Sequence, residues 1–414
     1  MILSRGTLNQ APGQAPGVKA FAILSGIDSA SRAILISVFP VVMYRIYSDA
    51  QLVSEAYFII GLLSFLVTLI VPWISRKIPR RWLYSIGVTT YILSALICAW
   101  SNSWMFAFGL GLFTIANVVV FVCSNAYVMD YINRIKLAEC EALRLFYSGA
   151  AWTIGPFLGI WLMTTWKPLP FIVSALASCT LLVAFWFFRL GDGKAIRKSI
   201  TAPPNPFAYL NRFLHQPRLV AGWIFAVMKS SGWWVYILYL PIYAVENGHS
   251  EQLGGALLSL SNAFLFLTPL ILKAMRGRVR LALIFGFFCS GCLFLLASIN
   301  LGSTSVSIAL LVLASMFLIL LDICAGLPFL MAVRPSQRTE MAAVYSTYRD
   351  FSSVVTPGAA SLLLLFAPIN AIFGLTAVGL FGCVYIAGKI HPRLGVRRFR
   401  TLDLKPIRGD ATSG

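Results

Sequence analysis

The sequence is poor in charge, and in acidic charge above all. Of its 414 residues only 11% are charged, and these divide into 33 Lys or Arg and 14 Asp or Glu. A soluble domain carries roughly 25% charged and about 45–50% apolar residues, whereas this chain is 59% hydrophobic. That excludes an ordinary soluble domain and describes a chain that crosses a bilayer many times. Histidine is nearly missing: His215, His249 and His391 all fall in polar connectors. A hydrolase centre or metal cluster therefore lacks its usual means, and no H-E-x-x-H, G-x-S-x-G or P-loop spacing occurs. No enzyme activity, metal or cofactor is expected. The eight cysteines are scattered through apolar segments, except Cys140 in a connector, and show no disulfide or zinc spacing. Cys289 and Cys292 form a C-x-x-C inside an apolar run, which reads as helix packing.

Long apolar runs take the place of what is missing. Twelve are read, at about 19–46, 53–75, 82–101, 104–131, 142–165, 169–189, 218–246, 252–273, 279–300, 304–332, 341–365 and 368–390. About 20 such residues cross a hydrocarbon core as a helix. The first run is too long for a cleavable leader, and no small-residue cleavage site follows it. The net charge of +19 would suggest nucleic acid in a soluble chain, but its placement excludes that partner. Basic residues gather in alternate connectors, at Arg5, Lys19, 76–81, Arg134, Lys136, Arg144, 189–218, Lys273–Arg280, Arg334, Arg338 and the C-terminal tail. The other side receives little beyond Arg45 and Lys167, with Asp49, Glu55, Glu246 and Glu251. By the positive-inside rule both termini are expected in the cytoplasm, and the cell (inner) membrane is the expected location.

The expected fold is all-α, with twelve transmembrane helices in two six-helix bundles. Residues 1–18 form a cytoplasmic lead, 19–189 the first bundle, 190–217 a Gly/Pro-rich basic linker, 218–390 the second bundle and 391–414 a basic tail. The bundles repeat weakly. Each has a basic turn between its second and third spans. Each also has a charged turn between its fourth and fifth, with Glu141 before Tyr147-Ser148 and Glu340 before Tyr345-Ser346. Internal repeats of this kind build many secondary transporters.

Residues 72–81, PWISRKIPRR, fall on the spacing G-x-x-x-D-R/K-x-G-R-R/K. Lys77, Arg80 and Arg81 match its basic positions, while Pro72 and Pro79 replace glycines and Arg76 replaces the acid. With six plus six spans and a basic central loop, residues 19–390 resemble the major facilitator superfamily. Gly155-Pro156-Phe157-Leu158-Gly159 in the fifth span is similar to the Gly-Pro-x-x-Gly of proton-driven exporters in that superfamily, and Thr356-Pro357-Gly358 is its counterpart in the eleventh. The exporters' buried arginine in the fourth span is missing. The resemblance implies a conformational role for Arg76, Lys77, Arg80, Arg81, Gly155, Pro156, Gly159, Pro357 and Gly358. It also implies that spans one, four, seven and ten line a central cavity.

The intramembrane ionisable residues are Asp28 and Arg32, Lys229, Asp322, Arg349 and Asp350. Charge at that depth is costly and faces a bundle interior or a wet cavity. Asp28 and Arg32 stand four apart on one helix face, which suits either a packing ion pair or a proton and solute site. Lys229 suits an anionic solute or an interface position, and Asp322, with no basic neighbour in its own span, suits proton exchange. Asn117 and Asn125 in the fourth span offer hydrogen bonds to solute or to other helices. Trp233, with Trp234, Tyr236 and Tyr239, offers an aromatic wall, although four aromatics in seven residues cover more than one face. These residues predict a monomeric secondary transporter of a small molecule, working by alternating access in the lipid bilayer and coupled to protons. The Gly-Pro pair and the aromatic seventh span lean to efflux of an amphipathic compound. The basic residues lean to proton-coupled uptake of an anionic or zwitterionic solute. A transporter-shaped sensor is the alternative of another class.

Overall fold

A computed structural model of the protein describes residues 17–101, 104–132, 136–188, 209–267, 273, 278–299, 303–333 and 338–390. Among the described residues the chain is helical and contains no strand. The first seven helices are α1 Val18–Ile36, α2 Val38–Tyr47, α3 Ala50–Lys77, α4 Arg80–Trp100, α5 Trp104–Tyr131, α6 Leu137–Thr165 and α7 Leu169–Phe187. After the short α8 Leu210–Leu214 come α9 Pro217–Glu246, α10 Glu251–Ala263, α11 Val279–Ile299 and α12 Thr304–Cys324. The last four are α13 Leu327–Ala332, α14 Arg338–Ser346, α15 Tyr348–Leu364 and α16 Ala371–Gly388. Nine segments within the described residues are long and apolar enough to cross a membrane, so this is a multi-pass membrane protein. Large apolar side chains such as Leu145, Val183, Phe187 and Phe366 are exposed on its outside.

Among the described residues three of the apolar runs break into two α-helices. The first breaks at Ser37, because Pro40 has no N–H to give the Ile36 carbonyl four residues back. The tenth breaks at Ala325-Gly326, where Pro328 stands in the same relation to Cys324. In the eleventh, Thr347 separates α14 from α15, and its hydroxyl donates to the Val344 carbonyl at 2.7 Å, competing with helix bonding. Each break adjoins residues of the candidate site. The eighth run is described as α10 and a 3₁₀ turn at Phe264–Leu267; most of the remainder, like most of the linker and the whole tail, lies outside the described residues.

Helices α1–α7 pack among themselves, as do α8–α16, and the two groups meet through α3 with α15, α6 with α10, and α2 with α9. Small residues set the close approaches. A Cβ on Gly159 would overlap the Ile34 carbonyl of α1, and one on Gly358 would stand 2.8 Å from the Phe58 ring of α3. The groups mirror each other: Ser25 and Ser148 join α1 to α6 at 2.9 Å, and Ser230 and Ser352 join α9 to α15 at 2.6 Å.

Candidate functional site

A cavity of about 180 Å³ lies between the two groups. From the first group it takes Ile36, beside the Ser37 break, and Trp152 of α6. From the second it takes Trp233 and Ile237 of α9, Leu258 and Asn262 of α10, Leu265, and Asp322 of α12. Asp322 is anchored on both oxygens. Lys229 Nζ reaches Oδ1 at 2.8 Å, and the Trp233 indole N–H donates to Oδ2 at 2.8 Å. Lys229 and Trp233 are one turn apart on α9, which aims both at one carboxylate on α12. The partner that Asp322 lacks in its own span thus comes from another helix.

Asp28 and Arg32 form the ion pair their spacing predicts, 2.7 Å between Oδ2 and Nη2. They are about a fifth exposed, 19% and 21%, while Asp28 Oδ1 and Arg32 Nε are buried without partners among the described residues. The Arg32 guanidinium lies over the Trp152 ring, 5.7 Å from its centre, which ties this pair to the cavity wall. Two cations lie over the Tyr348 ring, Lys229 Nζ 5.4 Å and the Arg349 guanidinium 5.8 Å from its centre. Arg349 Nε donates to the Tyr348 hydroxyl at 3.1 Å, and its guanidinium also lies over Phe121 of α5 at 5.5 Å. Arg349 makes no ion pair among the described residues. Its neighbour Asp350 turns instead to Thr68 of α3, at 3.5 Å.

The two asparagines are taken up between helices. Asn117 Oδ1 accepts from the Tyr91 hydroxyl at 3.1 Å, and Asn125 Oδ1 accepts from Arg144 Nη2 at 3.1 Å. Of the aromatics after Lys229, only Trp233 lines the cavity. Tyr236 and Tyr239 are buried, bonded to Ser261 at 2.6 Å and Ser54 at 2.8 Å.

In the basic turn, Arg80 pairs with Asp130 at the end of α5, which supplies an acid missing from the turn itself. Lys77 and Arg81 are exposed, and the side chain of Arg76 lies outside the described residues. Gly155 and Gly159 pack on α1, and the Pro156 carbonyl accepts from the Ser37 hydroxyl at 2.7 Å. Pro357 lies inside α15 beside Gly358, against α3. Across the groups, at the end away from the basic turns, Arg45 and Glu251 form a two-pronged ion pair, and the Phe157 N–H donates to Ser259 Oγ at 2.9 Å.

Trp152 and Asn262 carry no motif and were reached only through the fold. A tryptophan in mid-span, away from the interfacial belts where this residue concentrates, is the one signal that could have pointed to Trp152.

Residues 21–357 match the family model described as Major Facilitator Superfamily. Among solved structures, a POT family transporter in complex with thioalcohol conjugated peptide superposes with a TM-score of 0.72 at 12% identity, covering 89% of this chain and 95% of that one. A POT family transporter in complex with 5-aminolevulinic acid gives 0.71 at 12% identity, covering 91% and 96%. Nucleoside transporter NupG gives 0.68 at 13% identity, covering 90% and 99%. At such identities the likeness is one of fold. A search of curated proteins gives no match.

Proposed function

Because the chain belongs to the Major Facilitator Superfamily and is a transporter rather than an enzyme, we propose that it imports a small anionic or zwitterionic solute by alternating access, with a proton as coupling ion. The observation that carries this reading is the Lys229–Asp322 pair on the cavity wall. A proton on Asp322 removes the carboxylate's charge and frees Lys229 to hold a solute. Loss of that proton restores the pair and drives the solute off. Proton and solute then enter and leave together. Asp28, with one buried oxygen unpartnered, offers a second place for a proton, and Asp350 a third.

Efflux rests in the sequence on the Gly-Pro pair and the aromatic seventh span. Gly155, Pro156 and Gly159 have a packing task against α1, and Tyr236 and Tyr239 have hydrogen-bonding tasks between helices. None of these carries a direction.

Twelve spans in two bundles, 19–189 and 218–390, with both ends cytoplasmic in the inner membrane, complete the proposal, together with action as a monomer. The Arg45–Glu251 pair at the end away from the basic turns supports a state shut to the outside. Lys77, Arg80 and Arg81 steady the cytoplasmic end.

The test uses purified protein in liposomes holding a pH-sensitive dye, with anionic, zwitterionic and cationic compounds added in turn. Solute-dependent proton entry is expected, and Asp322→Asn should reduce it at least tenfold while thermal unfolding in detergent stays sharp. Undiminished flux with normal pH dependence in that variant would remove Asp322 from the mechanism.

A further inference from the structure

The cations around the cavity carry more hydrogen-bond donors than the protein uses. An arginine has five N–H donors and a lysine three. Among the described residues Arg32 makes one ion pair, Lys229 makes one ion pair, and the Arg349 side chain makes one hydrogen bond, to Tyr348. Arg32 Nε is buried without a partner among the described residues. Asp322, by contrast, has both oxygens occupied. A ligand rich in acceptors completes this set; among the described residues Asp28 Oδ1, beside Arg32, is the one buried carboxylate oxygen left without a donor. The cations are also ordered in space. Arg349, which makes no ion pair among the described residues, shares the Tyr348 ring with Lys229, and Lys229 reaches the cavity through Asp322.

Apart from Asn262, whose amide donates to the Leu258 carbonyl at 2.9 Å, the rest of the cavity is apolar. Trp152 and Trp233 enter it from opposite groups, and Ile36, Ile237 and Leu258 close it. Its 180 Å³ equals the liquid volume of about six waters, room for one ring and a short substituent. Indoles favour the faces and edges of other planar rings.

We propose that the solute is an organic carboxylate on a planar apolar body. The carboxylate passes from Arg349 to Lys229, and the ring lodges between Trp152 and Trp233. The proposal rests on the transport reading above and narrows its substrate class.

Benzoate, benzamide, benzamidine and cyclohexanecarboxylate are suitable probes, titrated calorimetrically against the full chain in detergent. Benzoate should bind at least tenfold more tightly than the neutral amide or the cationic amidine, and severalfold more tightly than the non-planar acid. Lys229→Gln should lose tenfold or more for benzoate and little for benzamide. Trp152→Ala should weaken benzoate and Trp152→Phe should restore it, a rescue that a general folding defect would not give. Asp322→Asn, which frees Lys229, should bind benzoate at least as tightly as the unaltered protein.

Equal binding of benzamidine, an indifferent Lys229→Gln, or no binding of any probe by protein that unfolds cooperatively overturns the proposal. The titration involves no proton gradient. Benzoate binding with uncoupled flux therefore condemns the coupling reading alone, and coupled flux without benzoate binding condemns the carboxylate alone.

Discussion

The two helix groups each bury one ion pair near the cavity, and they build it differently. In the first, Asp28 and Arg32 belong to one helix, four residues apart. Their separation is set by α-helical geometry and stays the same however α1 moves. In the second, Lys229 stands on α9 and Asp322 on α12, so any shift between these helices breaks the pair. The lesson is that equal chemistry need not mean equal duty. The pair within one helix is a fixture, and the pair between helices has two states. The surrounding serines point the same way, since the Ser25–Ser148 and Ser230–Ser352 links are alike in both groups and leave the ion pairs as the asymmetric part.

The heaviest blow to this contrast is Arg32→Ala, which leaves Asp28 without its counter-ion. Removing one partner of a buried pair costs about 3–5 kcal/mol; with both side chains about a fifth exposed, the lower end is expected. Thermal unfolding should show the loss, and Asp28→Asn with Arg32→Gln should recover most of it. A single variant as stable as the parent would end the idea of a fixture.

Exchanging the charges sharpens the contrast. Asp28→Arg with Arg32→Asp reverses a pair that prefers its acid N-terminal, a difference on the order of the 0.2–0.5 kcal/mol such pairs contribute, and should reduce flux less than the exchange between helices does. Lys229→Asp with Asp322→Lys should keep the fold and lose coupled flux tenfold or more. Equal outcomes for the two exchanges would erase the distinction.

The mildest test concerns the outer end. Arg45 is 46% exposed, and exposed pairs contribute about 0–1 kcal/mol, so Arg45→Gln should scarcely move the melting temperature. It should still raise labelling of a cysteine placed at Ile237 by an impermeant maleimide added from outside. Unchanged labelling would leave the closure of that end to the helix contacts.

Much of this was legible in the chain. The apolar runs, the basic turns and the i,i+4 pair follow from local rules, because a helix fixes which neighbours meet. The breaks at Ser37 and Ala325-Gly326 were equally readable from Pro40 and Pro328, since the missing N–H acts four residues back, although the runs read as unbroken. What no local rule reaches is the pairing of Lys229 with Asp322, of Arg45 with Glu251, or of Arg80 with Asp130. Those pairings depend on how helices distant in sequence are set side by side. Trp152 joins the cavity for the same reason, carried there by the packing of α6 on α1 and α10.

One bond between the groups can also keep time. The amide of Phe157, the residue after Pro156, donates to a serine hydroxyl on the opposite group and not only along its own helix axis. When the groups part at that end, this amide gains access to solvent. Deuterium uptake at Phe157, followed by mass spectrometry, would then report how readily that end opens. Uptake that speeds up with solute on both sides of the membrane would show that solute raises the open fraction.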